Sequence, residues 1–119
     1  MRHKKFLKKL SRRKKHRLSL LINLSKSLFK YKSISTTLSK AKVLKSFIEK
    51  IITYSKINSL SKKRKLMQKF RTNYVEVTKI FSYVSKKYIK IKGGYTKIIK
   101  TNLRKGDSTH MSIIKLITY

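Results

Sequence analysis

Thirty-four lysines and arginines face three acids in a chain of 119 residues, a formal net charge of +31. Like charges repel, so this imbalance opposes any compact state unless a polyanion supplies the missing negative charge. Phosphate backbones do so, and their neutralisation releases condensed counterions, which drives association. The basic residues are also spread along the chain. Thirteen bases and no acid occupy residues 1–35, sixteen bases stand with Glu49 and Glu76 in 36–92, and five stand with Asp107 in 93–119. A protein that reads one DNA groove concentrates its charge. Charge on many sides suits embedding in a folded RNA, which is read through shape and phosphate.

The charge leaves room for a core. Fourteen isoleucines, five phenylalanines and seven tyrosines can build one domain of this length, and disordered chains lack those residue types. There is no cysteine, hence no disulfide framework and no thiolate metal site. The longest apolar run is Leu20-Leu21-Ile22, far short of a membrane span of about 18 residues, and no secretory signal follows the basic start. Partners are therefore expected to exclude a membrane and any small-molecule substrate.

Residues 1–17 hold ten Lys/Arg and two His around Phe6, Leu7 and Leu10, and read as an extended basic arm that orders on RNA. Residues 18–119 read as a single domain. Leu21, Leu24, Leu28 and Tyr31 mark one face of a helix over 18–31, and Ser33–Thr37 suggests a short strand or extended link. A second helix starts near Thr37 or Ser39, either able to cap it. Its stripe is Ala41, Leu44, Phe47, Ile48, Ile51 and Ile52, with Glu49 paired to Lys45 or Lys50. Leu66, Met67 and Phe70 line a third helix over 61–71. Asn73 and Glu76 form a capping-box-like start to a fourth, whose stripe is Val77, Ile80, Phe81, Val84 and Tyr88. Gly93-Gly94 then ends the helical half. Residues 95–101 and 111–118, rich in β-branched side chains, read as an antiparallel pair around a loop near 102–110.

No catalytic or metal-binding constellation is legible. The three acids fall in three different elements, the three histidines are widely spaced, and no serine has a nucleophile-elbow context. No phosphate loop occurs either, so no enzyme activity and no cofactor is expected. The rival reading for a chain this basic is a non-specific protein that compacts DNA or another polyanion. It predicts equal binding to duplex DNA and RNA at matched salt.

The opening MRHKK, KKL at 8–10, Arg12 and His16-Arg17, then Asn23, Ser27-Leu28 and TTLSKAK at 36–42, stand in a familiar order. Glu49, Ile52-Thr53, Lys56, GGYTKIIK at 93–100, RKGD at 104–107 and Met111 complete it. In these blocks the chain resembles the bacterial large-subunit ribosomal protein seventeen family. The resemblance implies an α+β fold of two layers, running helix, strand, three helices and a final antiparallel strand pair, behind a basic N-terminal arm. It implies a structural constituent of the large subunit that binds large-subunit ribosomal RNA beside neighbouring ribosomal proteins, in the cytoplasm or on an organelle ribosome. The arm residues it would place in RNA are Arg2, His3, Lys4, Lys5, Lys9, Arg12, His16 and Arg17. Thr36, Thr37, Lys40 and Lys42 would act at the start of the second helix, with Asn23, Gly93, Gly94, Tyr95 and Arg104 elsewhere. Where the family has proline this chain has Ser39, whose hydroxyl is expected to serve as a helix cap.

Overall fold

The computed structural model describes residues 8–118. Arg2, His3, Lys4 and Lys5 lie outside them. The elements run α1 Lys14–Tyr31, β1 Ser33–Thr37, α2 Leu38–Ser55, α3 Leu60–Phe70, α4 Tyr74–Tyr88, β2 Thr96–Leu103 and β3 His110–Leu116. This is the expected α+β order, with the helices layered against one face of a sheet.

Helix α2 organises the core. It lies against all three strands and against α1, α3 and α4. Ala41, Leu44, Ile48 and Ile52 recur at three- and four-residue steps and have no solvent contact. Phe47 is only half-buried beside them. From α4, Val77, Ile80, Phe81, Val84 and Tyr88 are all buried, as their spacing predicts. Tyr88 packs edge-on against Tyr95, with ring centroids 5.3 Å apart. Its hydroxyl donates to the Ile117 carbonyl at 2.7 Å, which ties α4 to the chain beyond β3.

The sheet order is β1-β3-β2, with both pairings antiparallel. The last strand thus lies between the other two, and the segment at 33–37 is a true strand of the sheet. Ile34, Ile114 and Ile98 align in one row and Thr36, Ser112 and Lys100 in the next. Buried Thr36, Ser112 and Ile114 mark this as the helix-facing side. Side chains alternate faces, so Ser35, Ile113 and Ile99 line the outer side, followed by Ser33, Lys115 and Lys97. Buried Ser112 donates its hydroxyl to the Thr36 carbonyl at 3.3 Å, joining centre and edge.

Several local readings are corrected. Helix α1 begins at Lys14, so the last four residues of the expected extended arm are helical. Its buried side chains are Leu21, Ile22, Ser25, Leu28 and Phe29, whereas Tyr31 is 63% exposed. At about 100° per residue, Tyr31 falls about 80° to one side of Leu21, while the buried set fans out to the other side. A stripe drawn through Leu24 and Tyr31 follows the margin of the face.

The expected caps are absent too. Neither Thr37 at α2 nor Asn73 at α4 makes a side-chain cap hydrogen bond, and Ser39 lies inside the first turn of α2. Glu76 accepts a hydrogen bond from the Thr72 hydroxyl, not from the cap backbone. Glu49 accepts from the Thr96 hydroxyl at 3.0 Å, and no ion pair to Lys45 or Lys50 forms. Thr96 is buried, so its hydroxyl needs an acceptor inside the protein, and the carboxylate above it supplies one.

Candidate nucleic-acid interface

The stem of the arm turns sharply before α1. Leu10 and Ser11 both have left-handed backbone angles, with φ of 56° and 50°. Each costs a non-glycine residue on the order of 1 kcal/mol. Arg17, one turn into the helix, reaches back to the carbonyls of Lys9 at 3.5 Å and Arg12 at 3.4 Å. The Arg12 amide donates to Lys9 at 3.2 Å and closes the turn. One cation thus holds the bend that aims the others.

Next to it, the Arg12 guanidinium meets His16 Nε2 at 2.8 Å. Guanidinium only donates, so Nε2 is the acceptor in this contact. The Lys8 ammonium donates to Ser39 Oγ at 3.4 Å, and thereby joins the arm to the first turn of α2. Lys9, Arg13, Lys14 and Lys15 are exposed around this junction, as is Lys42, with Lys40 half-buried.

The helix starts add a second signal. The first turns of α1, α2 and α3 contain no acid, and none of the three has a side-chain cap. Each N-terminus carries roughly half a positive charge from the aligned peptide dipoles, and its free N–H groups point outward. Lysines cluster there regardless: Lys14 and Lys15 on α1, Lys40 on α2, Lys62 and Lys63 on α3. Basic residues at a positive helix end disfavour one another, and an external anion reverses that cost.

The β2–β3 loop leaves the sheet at the same end as the start of α2, since Thr37 pairs with Met111 and Leu103 with His110. Arg104 grips Asp107 with two donors, at 2.9 and 2.5 Å. These hydrogen bonds, with one from Thr109, hold the Asp107 carboxyl well below the usual carboxylate range, and Asp107 in turn raises Arg104. This is the sole ion pair among the described residues. The other cations there have no carboxylate partner among the described residues.

The sequence-predicted residues therefore divide. Lys9, Arg12, His16, Arg17, Thr37, Lys40, Lys42 and Arg104 extend from one end of the sheet. Gly93 and Gly94 precede β2 at the opposite end, where Thr96 pairs with Leu116. Gly94 needs its freedom for a φ of 70°, yet a Cβ at either glycine would meet open space. Asn23 is exposed on mid-α1, apart from both groups.

Two residues leave the candidate set. Tyr95 is 1% exposed and donates its hydroxyl to the Ile91 carbonyl at 3.2 Å, so its ring is core and no platform for a base. Thr36 is likewise buried. Both side chains pack inside the domain rather than on its surface.

Sequence reasoning missed Lys97 and Lys115, which stand directly opposite one another on the outer face of the sheet. Like charges in cross-strand register destabilise a sheet. Finding them required the register, and a loop of unknown length leaves that open. It also missed a cleft of about 590 Å³ between α1 and α4, lined by Lys26, Lys30, Lys79, Tyr31 and Tyr83 among others. Lys32 lies over the Tyr83 ring at 3.6 Å from the centroid, and its partial burial lowers the ammonium pKa. No group of three metal-ligating side chains occurs among the described residues, and none of their helices is long and apolar enough to cross a membrane.

An α+β domain whose cations are left unpaired around bare helix starts has the make-up of proteins built into ribonucleoprotein particles. The comparisons agree. A family model described as Ribosomal protein L17 matches residues 20–117. The chain is similar to a Large ribosomal subunit protein bL17 of Fusobacterium nucleatum, 45% identical over 98% of this chain and 100% of the relative. Proteins of the same description from Sulfurimonas denitrificans (40% identical, 98% and 100% covered) and Ehrlichia chaffeensis (43%, 98% and 90%) are similar along the same length. The chain belongs to the ribosomal protein L17 family.

Proposed function

We propose that this chain is a structural constituent of the large ribosomal subunit, binding its ribosomal RNA and stabilising it by phosphate neutralisation. One observation carries the reading. Within a family of large-subunit ribosomal proteins, a chain of charge +31 retains a single internal ion pair among its described residues. Packed RNA helices bring phosphates close together. Lysines between them lower that repulsion and release counterions.

The arm stem and the first turn of α2 act as one unit in this proposal. Lys9, Arg12, His16, Lys40 and Lys42 meet phosphate, and Arg17 positions them through the turn. Residues 1–17 form the penetrating arm, with Arg2, His3, Lys4 and Lys5 at its tip, and the remainder is the wedge that sets its point of entry. Arg104 offers a further contact by exchanging Asp107 for phosphate. Thr37 belongs to this same end of the sheet, while Asn23 on α1 and the Gly93-Gly94 turn at the opposite end would be separate contacts. Neighbouring large-subunit proteins are the protein partners, and the location is the ribosome in the cytoplasm.

Sedimentation of the tagged full chain through a sucrose gradient tests this, with crosslinks to ribosomal RNA mapped in the heavy fractions. The expected result is stoichiometric migration with the large subunit, unchanged by excess duplex DNA. Migration as free protein, or transfer to the DNA at matched salt, overturns it.

A further inference from the structure

We propose that the cleft between α1 and α4 receives an unpaired base of the RNA, stacked on Tyr31; this rests on the ribosomal reading above. Its volume of about 590 Å³ lies within the usual range of small-ligand pockets, about 300–1,000 Å³. Its floor is apolar, formed by the buried Phe29 and Ile80. Lys26, Lys30 and Lys79 stand on its walls, and Lys30 and Lys79 are exposed. An apolar slot with cations around it matches a nucleotide: the flat base inside, the flanking phosphates at the lysines.

The aromatic residues make the fit specific. Tyr31, at the end of α1, keeps 63% of its surface in solvent, the highest exposure of any described aromatic residue. The Lys30 ammonium lies 5.1 Å from its ring centroid. An exposed tyrosine with a cation beside it is the usual platform for an unstacked base, because every base has a π-face. Tyr83 forms part of the wall, its orientation fixed by Lys32 and by an edge contact to Tyr88 at 5.9 Å. Lys32 is itself anchored on the Phe29 carbonyl at 2.5 Å, so it braces the wall and leaves phosphate to the other three lysines.

Glu76 also lines the cleft. Beside a phosphate alone, a carboxylate would be a defect. Beside a base it is an acceptor for a ring or exocyclic N–H, with the Thr72 hydroxyl holding it in place. That combination distinguishes a nucleotide from a simple anion. An acidic peptide of a neighbouring protein would satisfy the lysines and be repelled by Glu76.

The test uses large subunits assembled with the full chain. Irradiation at a wavelength absorbed by bases, followed by mass spectrometry, is expected to join the Tyr31 peptide to one unpaired nucleotide. Tyr31→Ala should remove that crosslink and weaken binding to the RNA segment carrying the nucleotide about tenfold, the scale of one lost stack. Tyr31→Phe should bind within about twofold of the parent. Because the ring is exposed, Tyr31→Ala should melt at the parent temperature. Normal assembly with no Tyr31 crosslink and unchanged affinity overturns base insertion alone. A chemical crosslink from Lys30 or Lys79 to a neighbouring protein overturns it as well. Absence of the chain from large subunits would overturn the ribosomal reading along with it.

Discussion

Helix α2 and the stem of the arm, residues 8–17, touch through Lys8 and Ser39, yet they are built on opposite terms. In α2 every third or fourth side chain is sealed in apolar contact, and Glu49 is matched to a buried hydroxyl. In the stem a left-handed bend is held by Arg17 on two carbonyls, and cations stand next to cations without a carboxylate. One region closes its interactions within the protein. The other leaves its cations without a carboxylate, and in the proposed reading RNA completes it, so stability and RNA binding should be separable by mutation.

The largest expected effect falls on the closed region. Ile48→Ala leaves a cavity beneath the sheet and should cost about 2–5 kcal/mol, read by denaturant unfolding. The fraction still folded should bind RNA with the parent's salt dependence. A lost salt slope in folded Ile48→Ala would show that the two regions are not independent.

The reverse change comes next. Neutralising Lys9, Arg12, Lys14 and Lys15 together to Gln should reduce the slope of log K against log salt by about 3–4, at roughly 0.7–0.9 per phosphate contact. Thermal stability should hold or rise, because like charges have been removed. A fall in melting temperature without RNA would mean that these cations are structural.

Smaller effects sharpen the boundary. Tyr88→Phe removes the hydroxyl that reaches the Ile117 carbonyl and should cost about 1 kcal/mol. Ser55→Ala should do the opposite. The Ser55 hydroxyl is buried at the end of α2 with no hydrogen-bond partner among the described residues, so its removal should stabilise by about 1 kcal/mol. Both are read as midpoint shifts in denaturant.

The smallest is a pH effect on the β2–β3 loop. The Asp107 carboxyl is depressed by Arg104, so its contribution is present above the ordinary carboxylate range and is lost as pH falls through the lowered value. The loop amides of Ser108 and Thr109 should therefore keep their NMR shifts through pH 4 and change only in stronger acid. Asp107→Asn should abolish that acid transition.

Much of this was legible in the sequence because helical periodicity is a strong signal. The stripes of α2 and α4 name every buried apolar residue of those two helices, and β-branched runs around a turn announce β2 and β3. What escaped was long-range. Nothing local to Ser33–Thr37 says that it pairs with β3, which lies some 75 residues away, so the central place of the last strand was invisible. Tyr95 belongs to the most recognisable motif and sits in the core, since a motif does not say which way a ring faces. Tyr31 erred the other way, read as core from spacing and exposed because the true face turns toward Ser25 and Phe29. Composition revealed the surplus of positive charge, while only the fold shows that Arg17 holds a turn and that Lys97 opposes Lys115.

The most direct test of the open-region claim is the salt dependence of the full chain binding large-subunit ribosomal RNA, with folding of the free chain followed in parallel. A slope of log K against log salt steeper than about −6 is predicted, with a melting temperature that rises as RNA is added. A shallow slope near −1, with stability indifferent to RNA, would contradict it.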